Sequence, residues 1–380
     1  MSSGRKSSFS VAAAPPLPPT RNLIATILTV AEDISDIFFS PMRPPQIRVH
    51  GRITTANLPD LSVIIPDDTR RIVSDLIGVR SNLLTRLEAE GSCDFSLFLQ
   101  DLGRFRVSIF SQRGTYAIKL RVIPAALPSF KSLHLPAQME RLVRFRCGLV
   151  IVSGPAGSGK TSTAAALMNR INEENEMHIV TVEDPIEFLI RHEKGTVLQR
   201  ELYRDVPSFS SALRTSLRHP PHVILLSALP DRETLDLTLE AADCGHLIFA
   251  ELNQPDASRS IEGLLRLFPA AEDQRVRARL ARNLRAVVSQ RLIPRKDGTG
   301  LAELREILFS TPAVRECLLN GENGAVNFSE AIREGASEGL QGFESELRKL
   351  QQAGTIAADA GWEELFCAQT PEKGSGSKRK

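Results

Sequence analysis

The chain has almost no charge of one sign to spare. Its 380 residues hold 47 lysines and arginines against 45 aspartates and glutamates, a formal net charge of +2. That balance argues against a protein whose main work is gripping nucleic acid over a broad basic face, although local basic patches are allowed. Paired cysteines are missing too. The five, at 93, 147, 244, 317 and 367, are scattered and none forms a CxxC pair. Neither a zinc knuckle nor a disulfide framework is indicated, and reduced thiols of a cytosolic protein are the simpler reading. No run is long and apolar enough to cross a bilayer. Near the N-terminus Arg5 and Lys6 precede a short apolar run. Pro15, Pro16, Pro18 and Pro19 break that run before it becomes a signal-peptide core. Residues 1–20 read as a disordered arm, and the Gly-, Ser- and Lys-rich stretch 368–380 as a disordered basic tail.

The length predicts two domains with room for a small third. Residues 21–124 begin with Leu23–Val30, apolar at helical spacing. Short β-like runs follow at 37–39, 46–50, 95–98, 104–109 and 116–122, several alternating polar with apolar as in a half-exposed sheet. Between them 67–90 reads as one or two helices, which makes this an α+β domain. The proline-punctuated stretch 125–142 reads as a linker. From 143 to 310 the pattern changes. Cys147–Val152 is apolar without alternation, as expected of a strand buried on both faces of a parallel sheet. Ile179–Val182, His222–Ser227 and His246–Ala250 repeat that character, with helical stretches at 161–173, 209–218 and 232–242 between them. Alternating strands and helices predict an α/β sheet with right-handed crossovers. Residues 311–367 read as helical.

The first strand of that domain runs into Gly154-Pro155-Ala156-Gly157-Ser158-Gly159-Lys160-Thr161, followed by Ser162. This is GxxxxGK[ST] between a buried strand and a helix, the context a phosphate loop needs. Glycines let successive backbone N–H groups turn toward one anion, and the helix presents its positive end. Lys160 is placed to reach the β- and γ-phosphates of ATP, and the Thr161 hydroxyl to coordinate Mg²⁺.

Beyond the loop, Ile179-Val-Thr-Val-Glu-Asp-Pro-Ile-Glu-Phe188 resembles the "aspartate box" of the secretion ATPase superfamily that drives type II secretion and type IV pili. The nearest likeness is to PilT-type retraction ATPases. It extends through Pro45–Gly51, Gly103–Val107, Arg121–Pro124, Ala212–Arg218, Ala241–His246 and Val287–Leu292. The match at Thr311–Arg315 is partial, and the four-cysteine zinc module of the extension branch is missing. The resemblance implies a PAS-like domain followed by a RecA-like P-loop ATPase domain. It further implies assembly into a hexamer, either of one chain or mixed with a paralogous ATPase, acting on an inner-membrane pilus platform protein. No nucleic-acid partner and no transmembrane segment are expected, and the place would be the cytoplasm or the inner face of the inner membrane. By the same resemblance Arg104, Arg106 and Arg121 would contact nucleotide, as guanidinium forks suit phosphate oxygens. Glu183 and Glu187 would be catalytic acids, and Asp184 would help Thr161 hold Mg²⁺.

Two segments depart from the family pattern. Where relatives read Asp-Pro-Asp-Val-Ile-Leu-Val-Gly-Glu-Met-Arg-Asp, this chain has Pro220-Pro-His-Val-Ile-Leu-Leu-Ser-Ala-Leu-Pro-Asp231. The water-polarising glutamate is therefore Ala228, whose methyl group cannot accept a proton. His222 replaces an acid and Pro230 an arginine. The "histidine box" ends in Leu252-Asn253-Gln254, with Asn253 at the γ-phosphate-sensing position. By the period of two, Glu251 shares a strand face with Asn253 and is a candidate replacement carboxylate. Three readings follow: a pilus or secretion motor subunit that hydrolyses ATP; a pseudo-ATPase ring subunit that binds ATP but turns it over slowly; and, further off, a nucleic-acid motor.

Overall fold

The computed structural model describes residues 17–361 apart from 50, 60, 62, 299 and 322–326. The basic tail and most of the expected N-terminal arm lie outside the described residues. The chain divides into two compact units between Ile123 and Pro124.

The first unit opens with α1 (Thr20–Leu28), then β1 (Ile34–Phe39), β2 (Gln46–Val49) and β3 (Arg52–Thr55). Two helices follow, α2 (Pro66–Ile77) and α3 (Ser81–Glu90), separated at Gly78 with its φ of +59°. Then come β4 (Ser92–Leu99), β5 (Gly103–Gln112) and β6 (Thr115–Ile123). The strands form one antiparallel sheet in the order β3-β2-β1-β6-β5-β4. Alternation decides its two faces. Phe105, Val107, Ile109, Ile118 and Leu120 are buried in one core with Ile72, Val73, Leu76 and Leu87 of the helices. Arg104, Arg106, Lys119 and Arg121 take the positions between them and are only half-buried. The arm was expected to run to residue 20, and this is corrected. Leu17 is buried in the same core, and the Thr20 hydroxyl donates to Asp75 at 2.6 Å. Arg71 of α2 ties the stretch down further, donating to the carbonyls of Leu17 (2.8 Å) and Pro18 (3.2 Å).

The second unit carries β7 (Gly148–Ser153), α4 (Lys160–Glu174), β8 (His178–Glu183), β9 (Thr196–Glu201), α5 (Phe209–Ser216), β10 (Val223–Leu226), α6 (Arg232–Asp243) and β11 (Leu247–Leu252). It continues through α7 (Ala257–Leu265), α8 (Asp273–Asn283), β12 (Leu284–Pro294) and β13 (Leu301–Phe309) to the helices α9 (Pro312–Asn320), α10 (Phe328–Glu334) and α11 (Phe343–Gln352). The sheet order is β13-β12-β7-β11-β10-β8-β9. All neighbours are parallel except β13, which joins β12 antiparallel. Every residue of β7 and β10 is buried, as strands covered on both faces must be. The expected linker shrinks from its C-terminal side. Ala137–Arg144 forms a 3-10 turn whose Met139, Leu142 and Val143 enter the core of this unit. Among the described residues no helix is long and apolar enough to cross a membrane.

The strand order positions the site. The chain leaves β7 for β8, three places away, and later fills both flanks of β7 with β11 and β12. Crossovers diverging from one strand leave a crevice at its carboxyl end, where open α/β sheets bind ligands.

Candidate functional site

That crevice holds residues 154–161. Gly154, Gly157 and Gly159 all have φ between +81° and +153°, in the region L side chains avoid. At Gly154 space is equally decisive. An added Cβ would lie 2.4 Å from the Gln290 carbonyl oxygen and against Ser158. The α4 N-cap is Gly159, which places no side-chain acceptor on the first turn of the helix. The turn's N–H donors are left for an anion. Ser158 Oγ is buried with no hydrogen-bond partner, another donor that an incoming phosphate oxygen would satisfy. Lys160, 8% exposed, folds over the loop and donates from Nζ to the carbonyls of Gly154 (2.9 Å) and Pro155 (3.0 Å). These residues fit a nucleotide's phosphates.

The carboxylates meet the loop from the neighbouring strands. Glu251, at the end of β11, is buried and accepts a hydrogen bond from the Thr161 hydroxyl at 3.1 Å. Burial pushes its carboxyl up to about 8. The Thr161 bond and the Lys160 charge offset this only in part, and Glu183 and Glu187 add to the rise. Those two acids therefore lie close enough to be felt. Glu183, also buried, accepts from Thr181 (2.6 Å) and Gln199 (3.0 Å). The Asp184 amide donates to Ser227 Oγ at 3.0 Å. Register explains the grouping. Leu226 of β10 pairs with Ala250 on one side and Val182 on the other, so Ser227 is level with Glu251 and Glu183. The end of β10, which runs on to Ala228, is thus flanked by two carboxylates from its neighbours. Among the described residues no three acids, histidines or cysteines are gathered closely enough to hold a metal ion by themselves, so the oxygens that the structure joins here are those of Thr161 and Glu251.

Not every residue singled out in the sequence belongs here. His222 precedes β10, and Val223 is level with Leu247 and hence Gly148, at the start of β7. The loop follows Ser153, some six residues further on, roughly 20 Å at strand rise. The replacement at 222 is therefore remote from the phosphates. Its Nδ1 accepts from the His178 N–H, and His246 lies at the same end, 2.6 Å from the Pro221 carbonyl. Asn253, past the end of β11, is exposed beside the loop, where the Gly154 N–H donates to the Leu252 carbonyl at 3.2 Å.

The three arginines belong to the first unit. Arg106 and Arg121 face each other across β5 and β6. Arg121 lies 3.3 Å from Asp36, which is 2% exposed and also meets Arg48 and Lys119, each at 3.2 Å. Burial opposes the Asp36 charge, but the Ser35 hydrogen bond and the Lys119 and Arg121 charges outweigh it and hold the carboxyl below its ordinary range. Arg104 donates to Ser96 at 2.8 Å, and Arg106 lies 3.8 Å from Asp94. The sequence reading had missed Asp36, Ser227 and Gln290. Only Asp36 offered a signal, as an acid within the mostly apolar strand Ile34–Phe39.

The model of the family described as type II/IV secretion system protein matches residues 85–357. The chain belongs to that family. Among family relatives, it is 36% identical over 334 residues to the twitching motility protein of Neisseria gonorrhoeae, covering 88% of this chain and 86% of that one. It is 34% identical over 330 residues to the type IV pilus ATPase PilU of Pseudomonas aeruginosa, covering 87% and 84%. Among solved structures, the pilus retraction motor PilT with bound ADP superposes with a TM-score of 0.77 at 33% identity, over 93% of this chain and 97% of that chain. The α/β secretion ATPase fold and a nucleotide-binding function are those of this family.

Proposed function

We propose that this chain is an ATP-driven motor subunit of a type IV pilus machine, of the retraction kind, and that Glu251 takes over the work of the carboxylate missing at Ala228. The observation that carries the reading is the Thr161–Glu251 hydrogen bond of 3.1 Å inside an intact phosphate loop. The names of the relatives, a twitching motility protein, a pilus ATPase and a pilus retraction motor, supply the machine. The loop N–H groups and Lys160 bind and align the triphosphate. Mg²⁺ would be held by Thr161 with Asp184, supplying charge neutralisation at the β- and γ-phosphates. Glu251 and Glu183 are the buried acids able to orient or deprotonate the attacking water. Arg104, Arg106 and Arg121 present cations for phosphate oxygens, with the subunits arranged in a ring, a homo-hexamer or one shared with a paralogue, on the platform protein at the inner membrane.

One specific observation favours a second reading. Ala228 leaves its own strand without a carboxylate, so a ring subunit that binds ATP and turns it over slowly fits as well. ATP affinity and ATPase rate of the purified chain, read together with Glu251→Gln and Ala228→Glu, separate the two. The motor reading expects Glu251→Gln to cut turnover about 100-fold, the order of a lost general base, with affinity nearly kept. Negligible wild-type turnover that Ala228→Glu raises tenfold or more would establish the slow subunit instead.

A further inference from the structure

The loop after β8 carries Asp184 and Glu187, and it is fastened along its length. The Ile186 N–H donates to Glu201 at 3.2 Å. The Ile190 N–H donates to the Gln199 amide oxygen at 2.8 Å, and the Phe188 carbonyl accepts from the nitrogen of the same amide at 2.9 Å. Further on, the Arg191 carbonyl accepts from Asn172 at 2.7 Å, and His192 Nδ1 accepts from the Val197 N–H at 3.1 Å. Asn172 is fully buried in α4, the helix that opens with Lys160 and Thr161. The other anchors belong to β9, the edge strand of the sheet.

Register puts Gln199 and Glu201 on the face that carries Glu183. Thr181 is opposite Gln199, and Glu183 is opposite Glu201. By the period of two, these polar side chains share one face of the β8–β9 pair. Gln199 is the link between the loop and the carboxylate. Its nitrogen, which holds Phe188, also donates to Glu183 Oε1 at 3.0 Å. The amide fits only one way round, because Ile190 supplies a donor and Phe188 an acceptor. Thr181 donates to the same Glu183 oxygen at 2.6 Å. Two donors from two strands on one oxygen set the plane of the carboxylate. A residue that merely clipped the loop would need no bond to Glu183.

We infer that Gln199 is a positioning residue for ATP hydrolysis, holding the Glu183 carboxylate in the orientation in which it meets the attacking water. This rests on the reading that Glu183 is one of the buried acids that act on that water. The role requires an amide. A carboxylate at position 199 would still accept from Ile190, but it would confront Glu183 with a second acceptor in place of a donor.

Single-turnover hydrolysis by the full chain in excess over ATP tests the assignment, with affinity for a non-hydrolysable analogue read by calorimetry. Gln199→Ala is expected to slow hydrolysis about tenfold, the size of one hydrogen bond to a charged group, and to change affinity less than about twofold. Gln199→Glu, which keeps the acceptor for Ile190, is expected to slow it at least as much. Glu183→Gln alone is expected to slow it about 100-fold. Adding Gln199→Ala to that variant is expected to cost less than about twofold more, because a residue that acts through Glu183 then has nothing left to position. Hydrolysis unchanged by Gln199→Ala, affinity that falls with the rate, or wild-type hydrolysis in Gln199→Glu would each overturn the inference. So would a second tenfold loss in the double variant, which is what a loop clip would give. Unchanged hydrolysis in Glu183→Gln would instead overturn the reading of Glu183, and a wild-type chain that splits no ATP would overturn hydrolysis itself.

Discussion

The two sheets of this protein place their charged groups differently. In the first unit Arg104, Arg106, Lys119 and Arg121 sit in mid-strand, half-buried on one face of an antiparallel sheet. In the second unit β7, β8, β10 and β11 are buried almost throughout, and Glu183, Ser227 and Glu251 cluster where those strands end. The difference follows from what covers each sheet. A sheet with helices on one face can carry ions on the other; the central strands of a parallel sheet, covered on both faces, hold them where they end.

The sharpest way to break that comparison is a charge in mid-strand. Val150→Asp in β7, at a fully buried position, is expected to prevent folding, since an unpaired buried charge costs several kcal/mol of a total near 10. A soluble variant with a cooperative melt near the wild-type Tm would show that one face of β7 is open. Lys160→Ala tests the end of the same strand. It is expected to weaken ATP about 100-fold by calorimetry with little change in Tm, because the lost contacts are to the ligand and to loop carbonyls. Undiminished affinity would remove Lys160 from the site. The smallest effect belongs to the open face. Asp36→Asn leaves Arg48, Lys119 and Arg121 without their shared carboxylate, but all three reach solvent. About 1–2 kcal/mol of stability is therefore at stake. Because the Asp36 carboxyl titrates below its ordinary 3.8, this contribution is full above that pH and fades as pH falls through the lowered value. Wild type and variant should thus converge in Tm as pH falls below the ordinary carboxylate range. A gap that persists there would mean that Asp36 acts through packing.

The comparison also explains what could be read in advance. Strands β7, β8, β10 and β11 were legible because a strand covered on both faces is a short unbroken apolar run. Strands β12 and β13 were not, because Ser289, Gln290, Arg291 and Arg305 are polar yet buried, and their partners lie far away in sequence. Strand β3 is exposed at every residue, so burial leaves no pattern in it. The phosphate loop was fully legible from its spacing. The period of two brought Glu251 to the right face, but not the Thr161 hydrogen bond, which joins residues 90 apart. The remoteness of His222 was hidden for the complementary reason: neighbours in sequence along a strand sit at opposite ends of the sheet.

Gly154 gives a practical warning about damaged variants of this chain. The volume its side chain would occupy belongs to the Gln290 carbonyl and to Ser158. A variant such as Gly154→Ala would be scored in any activity screen as a nucleotide-binding mutant. Its first injury would be mechanical, wedging the end of β7 away from β12 and unseating the phosphate loop. The two kinds of loss have different signatures: a binding defect leaves the melting curve of the free protein alone, and a wedge lowers it.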